Sequence, residues 1–376
     1  MPWHEVSTMS LRSEFVMLAS AREANIAELC RRFGVSRKSG YKWLRRYAKA
    51  GAVGLADHSR RPRHSPTRTA AQIEAAAIDL RVRRHWGARK IRRRLLDLGH
   101  TVVPAASTIS TILKRHGLID AAEALKHRAF QRFEHPASNA LWQMDFKGHF
   151  ALAESRCHPL TVLDDHSRFA VALRACANQR GSTVQQELTQ SFRRYGLPAA
   201  MLMDNGPPWG DDAEHVLTPL TVWMIRLGIR VSHCRPYHPQ TQGKDERFHR
   251  TLQTELLKYH QFSDLHDCQR YFDRWRDIYN LERPHEALGL QVPAQRYRPS
   301  TRRFPEALPA IEYEAGDLRR KVQAKGELFL HGRVFRISQA LRGYPVALRP
   351  SSTDGQLDVY FCQQWVSQID LRHPYR

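Results

Sequence analysis

Cysteine is sparse in this sequence, and its six residues are scattered at positions 30, 157, 176, 234, 268 and 362. No two of them form a C-x-x-C pair, which argues against a zinc ribbon, because such sites need closely spaced thiolate ligands. Widely separated cysteines are also unlike a disulfide framework. We therefore expect a protein of the reducing cytoplasm.

Long hydrophobic runs and acidic residues are scarce as well. No apolar run approaches the ~20 residues that a helix needs to cross a bilayer, and the opening residues MPWHEVSTMSLRSEF lack the apolar core of a secretory signal. The sequence has 37 Asp+Glu against 59 Lys+Arg, a formal net charge of +22. Such an excess favours a polyanionic partner, because each neutralised phosphate releases condensed counterions. An anionic membrane surface would attract the same charge.

The positive charge is concentrated in residues 1–136, which hold 27 of the basic side chains and 11 of the acidic ones. Within this part, residues 10–52 predict a helix-turn-helix module. Asn25 and Ser36 are suited to cap helices, and Gly34 is suited to a left-handed helix end. A solvated helical hairpin is the alternative interpretation. The candidate DNA contacts of the basic last helix are Ser36, Arg37, Lys38, Lys42 and Arg45.

A second basic segment follows the first. Residues 53–69 contain prolines and arginines without an apolar periodicity, which predicts a linker. Residues 70–118 repeat the helical pattern and predict a second helix-turn-helix-like module, and residues 119–138 predict another linker. The run RKIRRR would be a solvated charged face in most proteins, but beside this pattern we expect it to contact phosphates. The candidate contacts are Arg89, Lys90, Arg92 and Arg93.

From residue 139 the pattern changes to alternating strands and helices. Residues 139–262 predict the order β-β-β-α-β-α-β-α, an α/β core with a mixed sheet. Its first segment, LWQMDFKGHFAL, alternates as one strand, with Trp142 and Met144 on one face and Asp145 on the other. Residues 263–300 predict a helical extension of the core. Residues 311–376 predict short strands separated by turns, which is typical of a small antiparallel β-barrel.

Three acidic residues of the core are candidates for a metal site, although each has an ordinary structural interpretation by itself. Asp204 ends the strand predicted beside that of Asp145, at the carboxyl end where α/β sheets place their sites. Glu246 lies in the first turn of a helix that can pack over the same edge. Three carboxylates brought together repel unless a cation neutralises them, and oxygen-only ligands suit Mg²⁺ or Mn²⁺. Two such ions, with Asp145 bridging them, could serve displacement at phosphorus.

The segments WQMDF, MDNG and HPQTQGKDERFHRTL resemble the integrase-core, DDE-type transposases of bacterial insertion sequences, above all those of insertion-sequence family 481. The resemblance implies a ribonuclease-H-like core and catalytic, metal-binding roles for Asp145, Asp204 and Glu246 rather than Asp245. It implies cleavage of double-stranded DNA at transposon ends and attack of the freed 3′-hydroxyl on target DNA. It further implies a homo-oligomer on DNA, no membrane partner and a location in the bacterial cytoplasm near the nucleoid.

Further residues near this triad have less definite interpretations. Lys244, Arg247 and Arg250 follow or flank Glu246 and could hold DNA phosphates, the alternative being a generic charged helix face. The interval from Asp204 to Glu246 is longer than in retroviral integrases, and a loop could absorb the difference. Two other functions stay open at this stage. One is a nuclease with the same metal site that cannot join strands, and the other is an inactive DNA-binding regulator.

Overall fold

The computed structural model describes residues 7–58, 68–119, 134–210, 217–233 and 243–372. The chain divides into two compact units, Met1–Arg68 and Thr69–Arg376. In the described ranges, no helix combines the length and the apolar character needed to cross a membrane. The predicted linkers at 53–69 and 119–138 and the HPQTQG segment fall largely outside the described residues.

The first unit is a three-helix module. Asn25 accepts hydrogen bonds from two backbone N–H groups at the start of the second helix, Ser36 caps the third, and Gly34 is left-handed at φ +64°. The third helix approaches its neighbours closely at Gly40, where an added Cβ would lie 2.6 Å from Cys30 Sγ. The core consists of Phe15, Val16, Cys30, Trp43 and Leu55. The helices are α1 Thr8–Ala19, α2 Ile26–Arg32 and α3 Arg37–Ala50.

The second unit begins with another three-helix module, which packs onto the rest of the unit. Arg94 donates from Nη2 to Glu282 Oε2 at 3.0 Å, and the ring of His85 stacks on Tyr259 with centroids 3.9 Å apart. The module is therefore fixed to the region that follows it. Its helices are α4 Ala71–Arg84, α5 Ala88–Asp97 and α6 Ala106–Arg115.

A six-stranded mixed sheet forms the centre of the second unit and confirms the predicted α/β core. Its path is β2-β3-β1-β5-β6, with β4 pairing to β3, and β1 is antiparallel to β3 and parallel to β5. The strands are β1 Trp142–Phe146, β2 Phe150–Ala151, β3 Arg156–Asp164, β4 Ala170–Cys176, β5 Ala200–Met203 and β6 Arg230–His233. The helices after β4 are α7 Gly181–Tyr195, α8 Pro219–Arg226, α9 Gly243–Glu255, α10 Leu265–Leu281 and α11 Pro293–Arg296.

The segment predicted as one long first strand is two strands. β1 ends at Phe146, and β2 begins at Phe150. Between them Gly148 has a φ of +71°, a conformation that side chains disfavour, and the chain turns there. The predicted alternation of side chains between the two faces of the strand therefore continues only as far as Phe146.

The two faces of the sheet are covered by different helices. Successive residues of β3 belong to different apolar clusters. Val162 packs in the cluster that includes residues of α7 and α8, and Leu163 packs in the cluster that includes residues of α9 and α10. Met144 belongs to the first cluster. Because successive strand residues point to opposite faces, Asp145 projects towards the side on which α9 and α10 pack.

Side-chain carboxamides satisfy backbone groups at both edges of this sheet. At the β6 edge, the side chain of Gln364 from the C-terminal segment accepts from the Val231 N–H at 2.8 Å and donates to the Val231 carbonyl at 2.9 Å. On β4, Asn280 pairs in the same way with both backbone groups of Ala170, at 2.8 and 3.0 Å, and Gln269 bridges two further backbone groups of that strand.

The C-terminal segment, predicted as a small barrel, folds as two antiparallel sheets that extend the apolar core of the central sheet. One has the order β12-β11-β10-β7, and the other is the hairpin of β8 and β9. The hairpin forms because His331 and Gly332 both have positive φ, as a two-residue turn of type I′ requires. The strands are β7 Leu318–Lys321, β8 Glu327–Leu330, β9 Arg333–Arg336, β10 Pro345–Pro350, β11 Gln356–Phe361 and β12 Gln364–Asp370.

Candidate active site

Two of the three candidate metal ligands lie level with each other on neighbouring strands. In the parallel pair of β1 and β5, Trp142 is opposite Met201 and Gln143 is opposite Leu202. The same offset places Asp145 level with Asp204, which directly follows β5. The adjacent peptide group donates to Asp204, since the Gly206 N–H lies 3.2 Å from its Oδ1. His233 on β6 donates from Nδ1 to the Asp204 carbonyl at 2.8 Å.

The third candidate ligand, Glu246, lies on α9, which has one face buried against the sheet and the other exposed. Asp245, Phe248 and Leu252 are buried against the sheet, whereas Glu246 is exposed. The negative charge of Glu246 is near enough to Asp145 to contribute to its raised pKa. The orientation of the helix therefore gives Glu246 access to solvent at the site and directs Asp245 into the core.

The carboxylates of the site disfavour one another's ionisation. Burial raises the pKa of Asp145 to about 7, and the charges of Asp204 and then Glu246 reinforce the increase. Burial also raises the pKa of Asp204, against the hydrogen bond from Gly206. The pKa of Asp245 lies well above its ordinary value because the carboxyl is fully buried near Asp145. Neither of its oxygens has a hydrogen-bond partner among the described residues.

These properties fit a divalent cation. The donors are carboxylate oxygens, which Mg²⁺ and Mn²⁺ prefer, and a cation between Asp145 and Asp204 would remove the repulsion that raises the pKa of Asp145. Within the described ranges, no three His, Cys, Asp or Glu side chains are already gathered at metal-binding distance. The charges of Asp204 and Glu246 nevertheless reach Asp145, and bringing all three carboxylates to one ion requires adjustment of their side chains.

A histidine that the sequence-based prediction did not include stands beside Asp145. The Nε2 of His249 lies 2.8 Å from the hydroxyl of Thr161, and that hydroxyl donates to the carbonyl of Asp145 at 2.9 Å. Thr161 is also the register partner of Asp145 across β3 and β1. Burial, with a smaller contribution from Lys147, lowers the pKa of His249 to about 4, so the imidazole is neutral near pH 7.

The three cations predicted to hold phosphates around Glu246 are placed differently. Arg247 and Arg250 are exposed. Lys244 is directed inwards and forms an ion pair with Asp165, whose side chain is 1% exposed. The predicted DNA role of Lys244 has no support from this placement, because the ammonium group is already engaged in holding the start of α9.

Most candidate DNA contacts of the two helical modules are exposed. Arg93 is paired with Asp97 at 2.8 Å. Lys90 lies close to the core, where burial and then the charges of Arg283 and other neighbours, including Arg247, lower its pKa to about 8. A candidate contact of the second module is thus a neighbour of a candidate contact on α9. The exposed candidates are Ser36, Arg37, Lys38, Lys42, Arg45, Arg89 and Arg92.

The residue that sequence reasoning missed had a readable signal. In GKDERFHRTL, His249 follows Glu246 by three positions, a spacing that places two side chains on the same side of a helix. Thr161 had no such signal, because its position opposite Asp145 depends on the pairing register of two strands.

Family models match five segments of the chain. The integrase core domain matches residues 135–239 and, in a second model, residues 227–293. A model of the C-terminal domain of IS481 family transposases matches residues 317–375. A helix-turn-helix domain matches residues 12–63, and a homeodomain-like domain matches residues 39–113.

Similar proteins include products of bacterial insertion elements. An uncharacterized 39.2 kDa protein of insertion element IS476 from Xanthomonas euvesicatoria is 29% identical over 247 residues, which are 62% of this chain and 67% of that protein. A putative transposase for insertion sequence element IS5376 from Geobacillus stearothermophilus is 25% identical over 192 residues, 49% of this chain and 46% of that protein. The chain therefore spans two thirds of one relative and about half of the other.

Two viral proteins are among the solved structures that match this chain. A chain of the simian T-cell lymphotropic virus intasome in complex with PP2A regulatory subunit B56 gamma is 15% identical, with 79% of this chain and 96% of that chain covered and a TM-score of 0.40. The HTLV-2 integrase catalytic core domain in complex with magnesium is 17% identical, with coverage of 43% and 99% and a TM-score of 0.35. Segments of this chain are thus similar to the integrase core domain and to the C-terminal domain of IS481 family transposases, and the chain is similar to products of bacterial insertion elements.

Proposed function

We propose that this chain is a DDE-type DNA transposase that cleaves DNA at transposon ends and transfers the freed 3′-hydroxyl into target DNA. The observation that carries the proposal is the level placement of Asp145 and Asp204 on parallel strands, with the charge of Glu246 close enough to raise the pKa of Asp145. A site made of mutually repelling carboxylates is suited to divalent cations, here Mg²⁺ or Mn²⁺ and two per site. When bound, such ions activate the attacking hydroxyl and stabilise the leaving oxygen of an in-line displacement.

The protein side chains have distinct tasks in this proposal. The charges of both Asp204 and Glu246 reach Asp145, and we assign Asp145 as the ligand that both ions would share. Asp204 is oriented by the Gly206 N–H, and its carbonyl is held by His233. Cleavage breaks the bond between phosphorus and a 3′-oxygen when water attacks, and joining uses that 3′-hydroxyl to displace a 3′-oxygen of the target. No side-chain nucleophile is needed for either step.

DNA binding is assigned to exposed cations outside the carboxylate cluster. The N-terminal part of α3 presents exposed basic residues, and Arg247 and Arg250 on α9 are exposed beside Glu246. We assign the helical modules to double-stranded transposon ends and the α9 arginines to phosphates near the scissile bond. Because joining requires two ends together, the active form on DNA is a dimer or larger oligomer, acting in the cytoplasm on nucleoid DNA.

The decisive experiment incubates the full chain and labelled end oligonucleotides with target DNA in Mg²⁺ or Mn²⁺. We expect cleaved and joined products with the unaltered protein and neither product with Asp145→Asn, Asp204→Asn or Glu246→Gln. Cleavage without joining would refute strand transfer and leave a nuclease. Binding without either product would leave a DNA-binding regulator, and full activity in Glu246→Gln would refute the assigned site.

A further inference from the structure

His249 faces the carboxylate cluster from the helix that carries Glu246. It follows Glu246 by three positions, so the two side chains leave α9 on the same side. The Nδ1 atom of His249 lies 4.0 Å from Oδ2 of Asp145, and the two side chains are 14% and 25% exposed. This separation is too long for a hydrogen bond.

The hydrogen bonds of Thr161 determine which nitrogen of His249 carries the proton. A threonine hydroxyl has a single proton, and that of Thr161 is donated to the carbonyl oxygen of Asp145. The contact of 2.8 Å between this hydroxyl and Nε2 must then be donated by the imidazole. In the neutral ring, the lone pair is therefore on Nδ1, the nitrogen that faces Asp145.

The lone pair of Nδ1 and an oxygen of Asp145 thus face each other at a separation that no hydrogen bond spans. Both are good ligands for a divalent cation, and ligand distances of about 2.0–2.2 Å allow two donors at this separation to share one ion. We propose that His249 is a fourth donor of the divalent-cation site, binding the ion through Nδ1 beside Asp145.

The inference rests on the proposed function and makes its metal site more specific. Mg²⁺ and Mn²⁺ both bind carboxylate oxygens, but Mn²⁺ accepts an imidazole nitrogen more readily than the harder Mg²⁺ does. His249 therefore makes the site a mixed oxygen and nitrogen site. The bond from Nε2 to Thr161 fixes the ring orientation, as the partners of metal-bound histidines commonly do.

Mn²⁺ tests this assignment directly, because the electron spin echo of bound Mn²⁺ is modulated by a nitrogen nucleus in its coordination shell. The full-length protein is stripped with EDTA, loaded with Mn²⁺ and measured with natural-abundance and ¹⁵N-labelled histidine. We expect a nitrogen modulation that changes with the label and disappears in His249→Gln. That variant keeps a polar group near the Nε2 position, and so the bond to Thr161, but has none near Nδ1. His233→Gln, altered beside Asp204 instead, should keep the modulation.

Equilibrium binding gives a second readout that needs no DNA. In His249→Gln the Kd for Mn²⁺ should increase about tenfold or more, and the Kd for Mg²⁺ less than about threefold. Mn²⁺ bound without nitrogen modulation in the unaltered protein would overturn the role of His249 and leave the carboxylate site intact. A modulation lost in His233→Gln but kept in His249→Gln would also overturn it. If Mn²⁺ bound equally to the unaltered protein and to Asp145→Asn, the proposed metal site itself would be wrong.

Discussion

Replacement of Asp145 by asparagine should stabilise the protein at pH 8 when metal is withheld. Burial and the charges of Asp204 and Glu246 raise the pKa of Asp145 from 3.8 to about 7 in the folded chain. The unfolded chain therefore loses this proton at lower pH than the folded one, and the free energy of unfolding falls as the pH rises through that interval. A tenfold change in proton affinity is about 1.4 kcal/mol, so the interval corresponds to a loss of up to about 4 kcal/mol. Asparagine keeps the shape of the side chain and removes the charge.

Urea unfolding in EDTA at pH 5 and pH 8 measures this effect. We expect the free energy of unfolding of Asp145→Asn, taken relative to that of the unaltered protein, to be about 2–4 kcal/mol higher at pH 8 than at pH 5. Asp354→Asn, a change at a fully exposed aspartate, should show no comparable difference. Added Mg²⁺ should then make the unaltered protein more stable than Asp145→Asn at pH 8, because the ion stabilises only the protein that binds it. An equal difference between variant and unaltered protein at pH 5 and pH 8 would refute the electrostatic reasoning.

Three further predictions concern neighbouring residues. Asp245→Asn should retain Mn²⁺ binding and strand joining. The variant should also unfold at a higher urea concentration at pH 8, because the fully buried carboxyl of Asp245 has a raised pKa and its charged form destabilises the fold. Loss of Mn²⁺ binding would contradict the placement of Asp245 in the core. Lys244→Met should lower the free energy of unfolding by up to about 3 kcal/mol, because the buried carboxylate of Asp165 keeps its hydrogen bonds from His135 and Gln143 but loses the cation paired with it. Arg247→Ala should instead leave stability unchanged and reduce the salt dependence of DNA binding by about one phosphate contact. Equal effects of the two variants on stability would show that this distinction is wrong. Gly40→Ala should lower the melting temperature of the isolated first unit, because its Cβ would overlap the neighbouring helix, and an unchanged melting temperature would contradict that packing.

The fold class and the order of strands and helices along the chain could be predicted because they depend on local patterns. Buried apolar runs and turn residues mark each strand, and the sequence of strands and helices limits the sheet to few arrangements. Helix ends were equally readable, since Asn25 and Ser36 accept the hydrogen bonds expected of caps. The level placement of Asp145 and Asp204 follows from two parallel neighbouring strands.

Features that depend on contacts between distant segments could not be predicted. Lys244 and Arg247 are alike in the sequence, and only the packing of α9 over Asp165 separates a buried ion pair from an exposed cation. The neighbours of Lys90 likewise come from α9 and the helical extension, far along the chain. The spacing from Glu246 marks the side of α9 on which His249 lies, but its distance from Asp145 depends on how α9 packs over the sheet, which no single segment determines.

The carboxamide side chains at the edges of the central sheet restrict how copies of this chain can assemble. A strand of another molecule could join the sheet only by displacing Gln364 from β6 or Asn280 from β4. Each offers a donor and an acceptor, so a carboxylate in its place would expose a backbone carbonyl to a partner. Oligomers formed on DNA are therefore not expected to pair through the edges of the central sheet. The same side chains protect against the edge-to-edge aggregation to which an open sheet is prone.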